Sequence, residues 1–289
     1  MATIINGKEV SQKVKDALKA KIASVHPKPG LAVVLVGDNP ASKVYVGNKE
    51  KACQEIGFLS QKIILPESVS GDELLSTVKE LNADLTIHGI LVQFPLPERL
   101  KHMEEIIIQT IDPEKDIDGF HPTNVGKFMT CKGICDDLFL PCTPAGIMEL
   151  LHAYTIPISG KHAVILGRSN LVGKPIGMLL LGEDATVTLC HSKTTHLKEI
   201  TKQADILIAA IGKPNFVDES FIKPGVVIID VGINRTEQGL VGDVNYTSVE
   251  QIASAITPVP GGVGPMTIAM LMENVWKAYI HQTRREETM

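Results

Sequence analysis

The chain has 289 residues, enough for about two domains with cores of their own. Hydrophobic residues make up 44% and charged residues 21%, an ordinary globular balance. A net charge of −5 and a pI near 6.0 argue against a nucleic-acid surface or a polybasic membrane patch, and no apolar run reaches transmembrane length.

The opening MATIINGKEV has neither a signal-peptide core nor an Arg-rich transit pattern, so a cytoplasmic location is expected. A first helix is predicted over 8–25, where Val10, Val14, Ala17, Leu18, Ile22 and Val25 share one stripe. Short apolar runs at 31–37, 61–65 and 87–93 read as strands, and the capping box Ser70-Gly-Asp-Glu73 opens a helix through Leu81. The segment 111–146 is rich in Asp, Gly and Pro and has little periodicity, which marks it as a functional or interdomain stretch. Thr143-Pro144 predicts an N-cap followed by proline in the first turn. Four more strands follow at 162–167, 185–190, 205–212 and 225–232, and a last helix at about 265–283 carries an apolar core or interface face. Alternation of strands and helices defines an α/β chain with mainly parallel strands.

The five cysteines, Cys53, Cys131, Cys135, Cys142 and Cys190, are odd in number and irregular in spacing, which predicts reduced thiols. Cys131, Cys135 and Cys142 with His121 fit no common zinc spacing, so no metal is expected.

Strand 162–167 runs into GRSNLVGKPIG, with Gly167, Gly173 and Gly177 at the turn where a dinucleotide pyrophosphate would meet a helix amino terminus. The usual G-x-G-x-x-G is not met, and the loop taken alone reads equally as a plain βα turn. At the end of the next strand, where an NAD enzyme places a carboxylate on the ribose, stand Cys190, His191, Ser192 and Lys193. Arg168 and Ser192 suit a 2′-phosphate by charge and hydrogen bond, which favours NADP. Near the amino terminus, SKVYVGNK holds Tyr45 and Lys49 at the spacing of the short-chain dehydrogenase pair. In those enzymes the glycine turn precedes the pair; here it follows, which excludes that class.

Seven segments occur in order: GDNPASKVYVGNK (37–49), GILVQFPLP (89–97), DIDGFHPTNVGK (116–127), PCTPAGI (141–147), GRSNLVGKP (167–175), VTLCHSKT (187–194) and PVPGGVGPMT (258–267). Together they resemble the methylenetetrahydrofolate dehydrogenase/methenyltetrahydrofolate cyclohydrolase family over nearly the whole chain. The resemblance implies an amino-terminal α/β folate and catalytic domain (1–142), a Rossmann-type NADP-binding domain (143–264), and a cleft between them. The helix at 265–289 would pack back on the first domain. A homodimer acting on tetrahydrofolate derivatives is implied, with no nucleic-acid or membrane partner. The implied reactions are oxidation of 5,10-methylenetetrahydrofolate to the 5,10-methenyl cation and its hydrolysis to 10-formyltetrahydrofolate.

Hydride leaves a carbon flanked by two nitrogens, so the first step needs orientation more than acid or base. Hydrolysis needs a proton carrier, for which Lys49, partly desolvated beside a cationic substrate, is suited. Tyr45 lies one turn earlier, Ser42 three residues before that, and Gln93 follows a strand where it can hydrogen-bond the amine. In the family, positions matching Tyr45, Lys49 and Gln93 form this cluster, and the folate-binding aspartate matches Asp118. A carboxylate there can accept paired N–H donors from a pterin-like ring. Asp116 reads as an exposed or structural acid. By resemblance, Pro258, Gly261, Gly262 and Thr267 line the ligand cleft, Ile233 touches the nicotinamide side, and Gly167, Arg168, Ser169, Val172, Gly173, His191 and Ser192 bind the cofactor. Phe94, Gly47 and Asn6 depart from the commonest family pattern without removing a functional group. Two other readings compete: an NADP dehydrogenase resembling shikimate dehydrogenase, and a non-enzymatic NADP-responsive binding protein.

Overall fold

A computed structural model describes residues 1–131, 137–237 and 239–286, the side chains of 285 and 286 excepted. Strand β1 (Thr3–Ile4) leads into helix α1 (Gly7–Ile22), where the N–H groups of Lys8 and Glu9 donate to Asn6 Oδ1. An alternating set follows: β2 (Gly30–Val36), α2 (Pro40–Ile56), β3 (Leu59–Leu65), α3 (Gly71–Ala83) and β4 (Gly89–Val92). Helices α4 (Glu104–Thr110) and α5 (Pro122–Thr130) come next, the second inside the stretch that lacked periodicity. After α6 (Cys142–Ala153) comes a second set: β5 (His162–Leu166), α7 (Gly173–Gly182), β6 (Thr186–Cys190), α8 (Leu197–Thr201), β7 (Ile206–Ala209) and β8 (Val227–Asp230). A hairpin of β9 (Asn234–Thr236) and β10 (Gly239–Val241), then α9 (Tyr246–Val249), β11 (Ala255–Ile256) and α10 (Val263–Glu286), complete the order.

The chain divides into two compact units. Among the described residues, one comprises 13–131, 137–140 and 268–286, and holds a three-stranded parallel sheet in the order β3-β2-β4. Every residue of β2 is buried, as a central strand covered on both faces requires. Ala32, Val34 and Val36 pack with Leu74, Val78 and Leu81 of α3 and Ile107 of α4. Each fully buried side chain of this size contributes about 1.5–3 kcal/mol. The capping box at α3 is formed as the sequence indicates, Ser70 Oγ accepting from Glu73 N while Ser70 N donates to the Glu73 carboxylate. From α10, Asn274 Nδ2 donates to the carbonyls of Ile117 and Leu140, and Gln282 Nε2 to those of His88 and Glu114.

The other unit comprises Met1–Gln12 and Pro141–Thr267, with a six-stranded sheet in the order β1-β11-β8-β7-β5-β6, parallel at every pairing. Val164, Leu166, Leu207, Ala209 and Ile228 of its central strands enter one core with Phe221, Val226 and Val249. The sequence reading grouped residues 1–142. The first twelve instead belong here, because β1 finds its partner in β11 (Thr3↔Ala255, Ile4↔Ile256). Two-residue strands carry no periodicity to read.

Two further expectations are corrected. Helix α6 begins at Cys142 after Pro141, with no side-chain cap; Thr143 lies inside the first turn and shares a 2.9 Å hydrogen bond with Thr267 Oγ1. Cys53, Cys142 and Cys190 are buried and not disulfide-bonded, and burial pushes Cys53 up to about 12. Cys131 is disulfide-bonded, a pairing that an odd total does not exclude. Cys135 lies outside the described residues.

Candidate active site

Helix α2 starts where the Asn39 side chain accepts from the N–H groups of Ala41 and Ser42, with Pro40 at the first turn. Ser42, Tyr45 and Lys49 then follow at helical spacing. Ser42 is buried at 5% exposure, Tyr45 is exposed at 44%, and Lys49 is half-buried. Lys49 Nζ donates to Gln93 Oε1 at 2.9 Å. Gln93 sits one residue beyond β4, its N–H donating to Val34 O and its Nε2 to Phe94 O. The backbone N–H and the amide nitrogen are each held by a carbonyl, and the amide oxygen accepts from the amine.

Asp118 joins this pair. Burial pushes its carboxyl up to about 6, the Lys49 charge pulls it down, and the nearby Asp116 charge raises it. The turn that presents it is braced from several sides. Asp116, 3% exposed, accepts from Phe120 N, His121 N and Asn124 Nδ2 at 3.3, 2.8 and 2.9 Å. Gly119 takes φ +72°, and a Cβ there would lie 2.5 Å from Phe139 O, so no other residue fits. Asn274 holds the Ile117 carbonyl. Lys49, Gln93 and Asp118 thus come together, with Tyr45 one turn away on the same helix.

The second set of predicted residues lies in the six-stranded unit, at the carboxyl edge of its parallel strands, where open α/β sheets take ligands. Gly167 follows β5 at φ +123°, and a Cβ there would lie 2.2 Å from Ala210 O. A Cβ on Gly173, the first residue of α7, would lie 2.4 Å from Gly167 O. Ser169 Oγ accepts from Val172 N, tightening the loop before the helix. Arg168 and Ser169 are exposed. Register pairs Leu166 with Cys190, so Arg168 and Ser192 lie two residues past paired positions on neighbouring strands. His191 N donates to Thr194 Oγ1, and Lys193 N to His191 Nδ1, closing a polar turn without a carboxylate. The backbone cradle, the exposed guanidinium and the missing acid fit a dinucleotide with a 2′-phosphate.

In the same unit, Pro258 and Thr267 are half-buried and Gly261 and Gly262 buried. A Cβ on Gly7 would lie 1.8 Å from Gly262 O, and Lys8 N donates to Gly261 O, so the 258–262 loop lies backbone to backbone against the start of α1. Ile233 is 49% exposed just past β8.

Sequence reasoning missed most of the clamps. Of the two readings of Asp116, exposed or structural, the structure supports the second: it is buried and clamps its own turn. Asn274, Asp230 and Asp243 belong to no motif in the sequence. The available signal was a short polar side chain inside an otherwise apolar strand end or helix face, which must be paired to be tolerated.

A glycine-turned parallel sheet suited to NADP and a separate unit carrying a lysine–glutamine–aspartate cluster define a two-domain nicotinamide-dependent enzyme. Comparison with known proteins makes this specific. Residues 5–118 match the tetrahydrofolate dehydrogenase/cyclohydrolase catalytic domain, and residues 141–283 match the NAD(P)-binding domain of the same family. The bifunctional protein FolD of Oceanobacillus iheyensis is 56% identical over 282 residues, covering 96% of this chain and 97% of that one. The crystal structure of the bifunctional FolD of Campylobacter jejuni has a TM-score of 0.91 at 48% identity, covering 97% of this chain and all of that one. The Trypanosoma brucei dehydrogenase-cyclohydrolase, solved with NADP and an inhibitor, has a TM-score of 0.91 at 35% identity, covering 98% and 99%. The chain belongs to the tetrahydrofolate dehydrogenase/cyclohydrolase family and is an NADP-dependent enzyme with both activities. A shikimate 5-dehydrogenase from Thermus thermophilus, 13% identical with a TM-score of 0.51, shares the fold alone, so the shikimate-like alternative falls away.

Proposed function

We propose that Lys49 is the proton carrier of the cyclohydrolase step, that Gln93 holds its amine, and that Asp118 anchors the folate ring. The observation that carries this reading is the 2.9 Å bond from Lys49 Nζ to Gln93 Oε1 beside an Asp118 carboxyl that feels the lysine charge. Water adds its oxygen to the methenyl carbon and gives a proton to the neutral Lys49 amine. That proton then passes to the ring nitrogen whose bond to the carbon breaks, while the hydroxyl of the adduct gives its remaining proton to solvent as the C=O forms, leaving the formyl group on the other nitrogen. The methenyl cation itself repels a neighbouring ammonium and favours the neutral amine. Asp118 accepts adjacent N–H donors of the ring, which satisfies its charge when substrate is present. Tyr45 shapes the folate site from the same face of α2, and Ser42 supports it from the first turn.

Bound NADP supplies the hydride acceptor. Gly167, Ser169, Val172 and Gly173 let backbone approach its pyrophosphate, Arg168, His191 and Ser192 take the 2′-phosphate end, and Ile233 and Thr267 border the nicotinamide. Pro258, Gly261 and Gly262 contact folate through close backbone approach. The division of labour follows the sequence-read domains, folate chemistry in 1–142 and cofactor in 143–264, with β1 exchanged to the second sheet. We further read the protein as a cytoplasmic homodimer that supplies one-carbon units for purine biosynthesis, without nucleic-acid or membrane partners. Among the described residues no helix is long and apolar enough to cross a membrane.

The test mixes methylenetetrahydrofolate with NADP or with NAD and follows reduced nicotinamide, methenyl and formyl products together. Formation of all three with NADP supports the reading. In the Lys49→Met variant, formyl product made as fast as in wild type overturns the Lys49 assignment.

A further inference from the structure

Two buried aspartates at the carboxyl end of β8 have no place in either reaction as described. Asp230 ends β8 and Asp243 follows β10, so they close the two ends of the twelve-residue arm that carries Ile233 and the β9–β10 hairpin. Asp243, with no exposed surface, accepts four N–H groups: Ile211 N at 2.7 Å, Gly212 N at 3.0 Å, Lys213 N at 2.8 Å and Asn234 Nδ2 at 2.9 Å. Asp230 accepts from Gly232 N, Asp243 N and Val244 N at 3.0, 2.9 and 2.9 Å. Its own N–H donates to the buried Thr257 Oγ1 at 2.8 Å. The carboxylates come so close to the arm that side chains are barred there. A Cβ on Gly232 would lie 2.4 Å from Asp243 Oδ1, and one on Gly242 would lie 1.8 Å from Asp230 Oδ2. Neither glycine has positive φ, so space and not backbone conformation demands them.

Three successive backbone N–H groups converging on one anion form the kind of concavity that elsewhere binds phosphate. Here an internal carboxylate fills it. The loop after β7 is therefore closed to the cofactor's phosphates, which leaves the 167–173 turn as their site. The same carboxylate ties that loop to Asn234, next to Ile233, and through Asp230 to the end of β8.

We propose that Asp243, held by Asp230, is a positioning residue of the dehydrogenase half of the enzyme: it fixes the 211–213 loop and the base of the 231–242 arm so that Ile233 is presented to the nicotinamide. This rests on the cofactor assignment above. It assigns the two aspartates to hydride transfer and not to hydrolysis, which uses no nicotinamide.

The experiment measures both activities of Asp243→Asn, which turns one acceptor oxygen into a donor facing N–H groups, together with the thermal midpoint of the variant. The expected result is a KM for NADP raised at least tenfold, with the KM for methylenetetrahydrofolate and cofactor-free hydrolysis of the methenyl compound within twofold of wild type. Asn234→Ala removes a single donor from the same carboxylate and should move the NADP KM in the same direction by about threefold, which keeps the test open if Asp243→Asn does not fold. Equal loss of both activities would mean the pair only holds the fold together and would overturn the proposal, as would unchanged NADP kinetics in both variants. Ile233→Ala separates the two levels. Unaltered NADP kinetics in that variant would remove Ile233 from the cofactor wall and end both readings; altered kinetics there with a silent Asn234→Ala and Asp243→Asn would end only this one.

Discussion

Replacing Lys49 by methionine keeps an unbranched apolar stem of nearly the same reach and removes the amine. General acid–base catalysis by a positioned group contributes about 10²–10⁴-fold, which is roughly 3–5.5 kcal/mol of barrier at 1.36 kcal/mol per decade. Hydrolysis of the methenyl compound should fall by that factor. The cost in stability should be modest: Gln93 keeps its bonds to Val34 and Phe94 and loses a partner only at Oε1, and Asp118 loses the lysine charge beside it. The loss at Gln93 is about 1 kcal/mol for a group not fully buried. Asp118 provides a second signature: without the lysine charge its carboxyl rises further above about 6, so folate binding should weaken at a higher pH than in wild type. The assay follows methenyl absorbance after adding the methenyl compound directly, and separately follows reduced nicotinamide from methylenetetrahydrofolate and NADP. The expected pattern is methenyl accumulation with dehydrogenase turnover kept within tenfold. Hydrolysis within tenfold of wild type would refute the reasoning. Equal loss of both activities would reduce Lys49 to a substrate-binding group.

Arg168→Ala should raise the KM for NADP by about 10–100-fold, the worth of a hydrogen bond to a charged group, and the KM for NAD by less than threefold; equal changes would remove the 2′-phosphate role. Asp118→Asn removes a carboxyl whose folded-state pKa is raised to about 6 from 3.8, so the charge it eliminates is unfavourable to folding. That penalty is absent below the unfolded value of 3.8, grows as pH rises from there to about 6 and is constant above. The variant's thermal midpoint should thus exceed wild type by more at pH 7.5 than at pH 4, while methylenetetrahydrofolate turnover is lost; a gain confined to acid pH would contradict the burial account. Gly47→Ala fills open space in α2, where an added Cβ meets nothing within 4 Å, and should add about 1 kcal/mol to unfolding free energy in urea titration. No gain there would mean that the helix is strained at Gly47.

Long, apolar strands were legible because their sequence is their environment: β2, β5 and β8 are covered on both faces and written in Val, Ile, Leu and Ala. The capping box at α3 was legible for a similarly local reason. Helix α5 was hidden because its segment, PTNVGKFMT, mixes polar residues and glycine, and its stability comes from Asn124 and Phe128 packing inward. Strands β1 and β11 were hidden because a two-residue strand is defined only by its partner, 252 residues away at Thr3↔Ala255. At the site, Lys49, Gln93 and Asp118 were readable from motif and chemistry. Asn274, Asp230 and Asp243 were not, since their work is to satisfy backbone groups that come together only in three dimensions.

The placement of β1 bears on how the chain can be made. Its sheet partner, β11, emerges from the ribosome last among the strands, so Thr3 and Ile4 must wait unpaired through most of synthesis. The three-stranded unit has the same dependence in reverse, since the carbonyls of Ile117 and His88 obtain their donors from Asn274 and Gln282. The six-stranded sheet cannot be completed before β11 is made, and the folate half cannot reach its final bonding before the last helix is released, although each could collapse earlier. High sequence separation of this kind slows folding and prolongs exposure of apolar surface. Carboxy-terminal truncations ending before residue 274 should therefore damage the folate half, encoded almost entirely upstream of the cut.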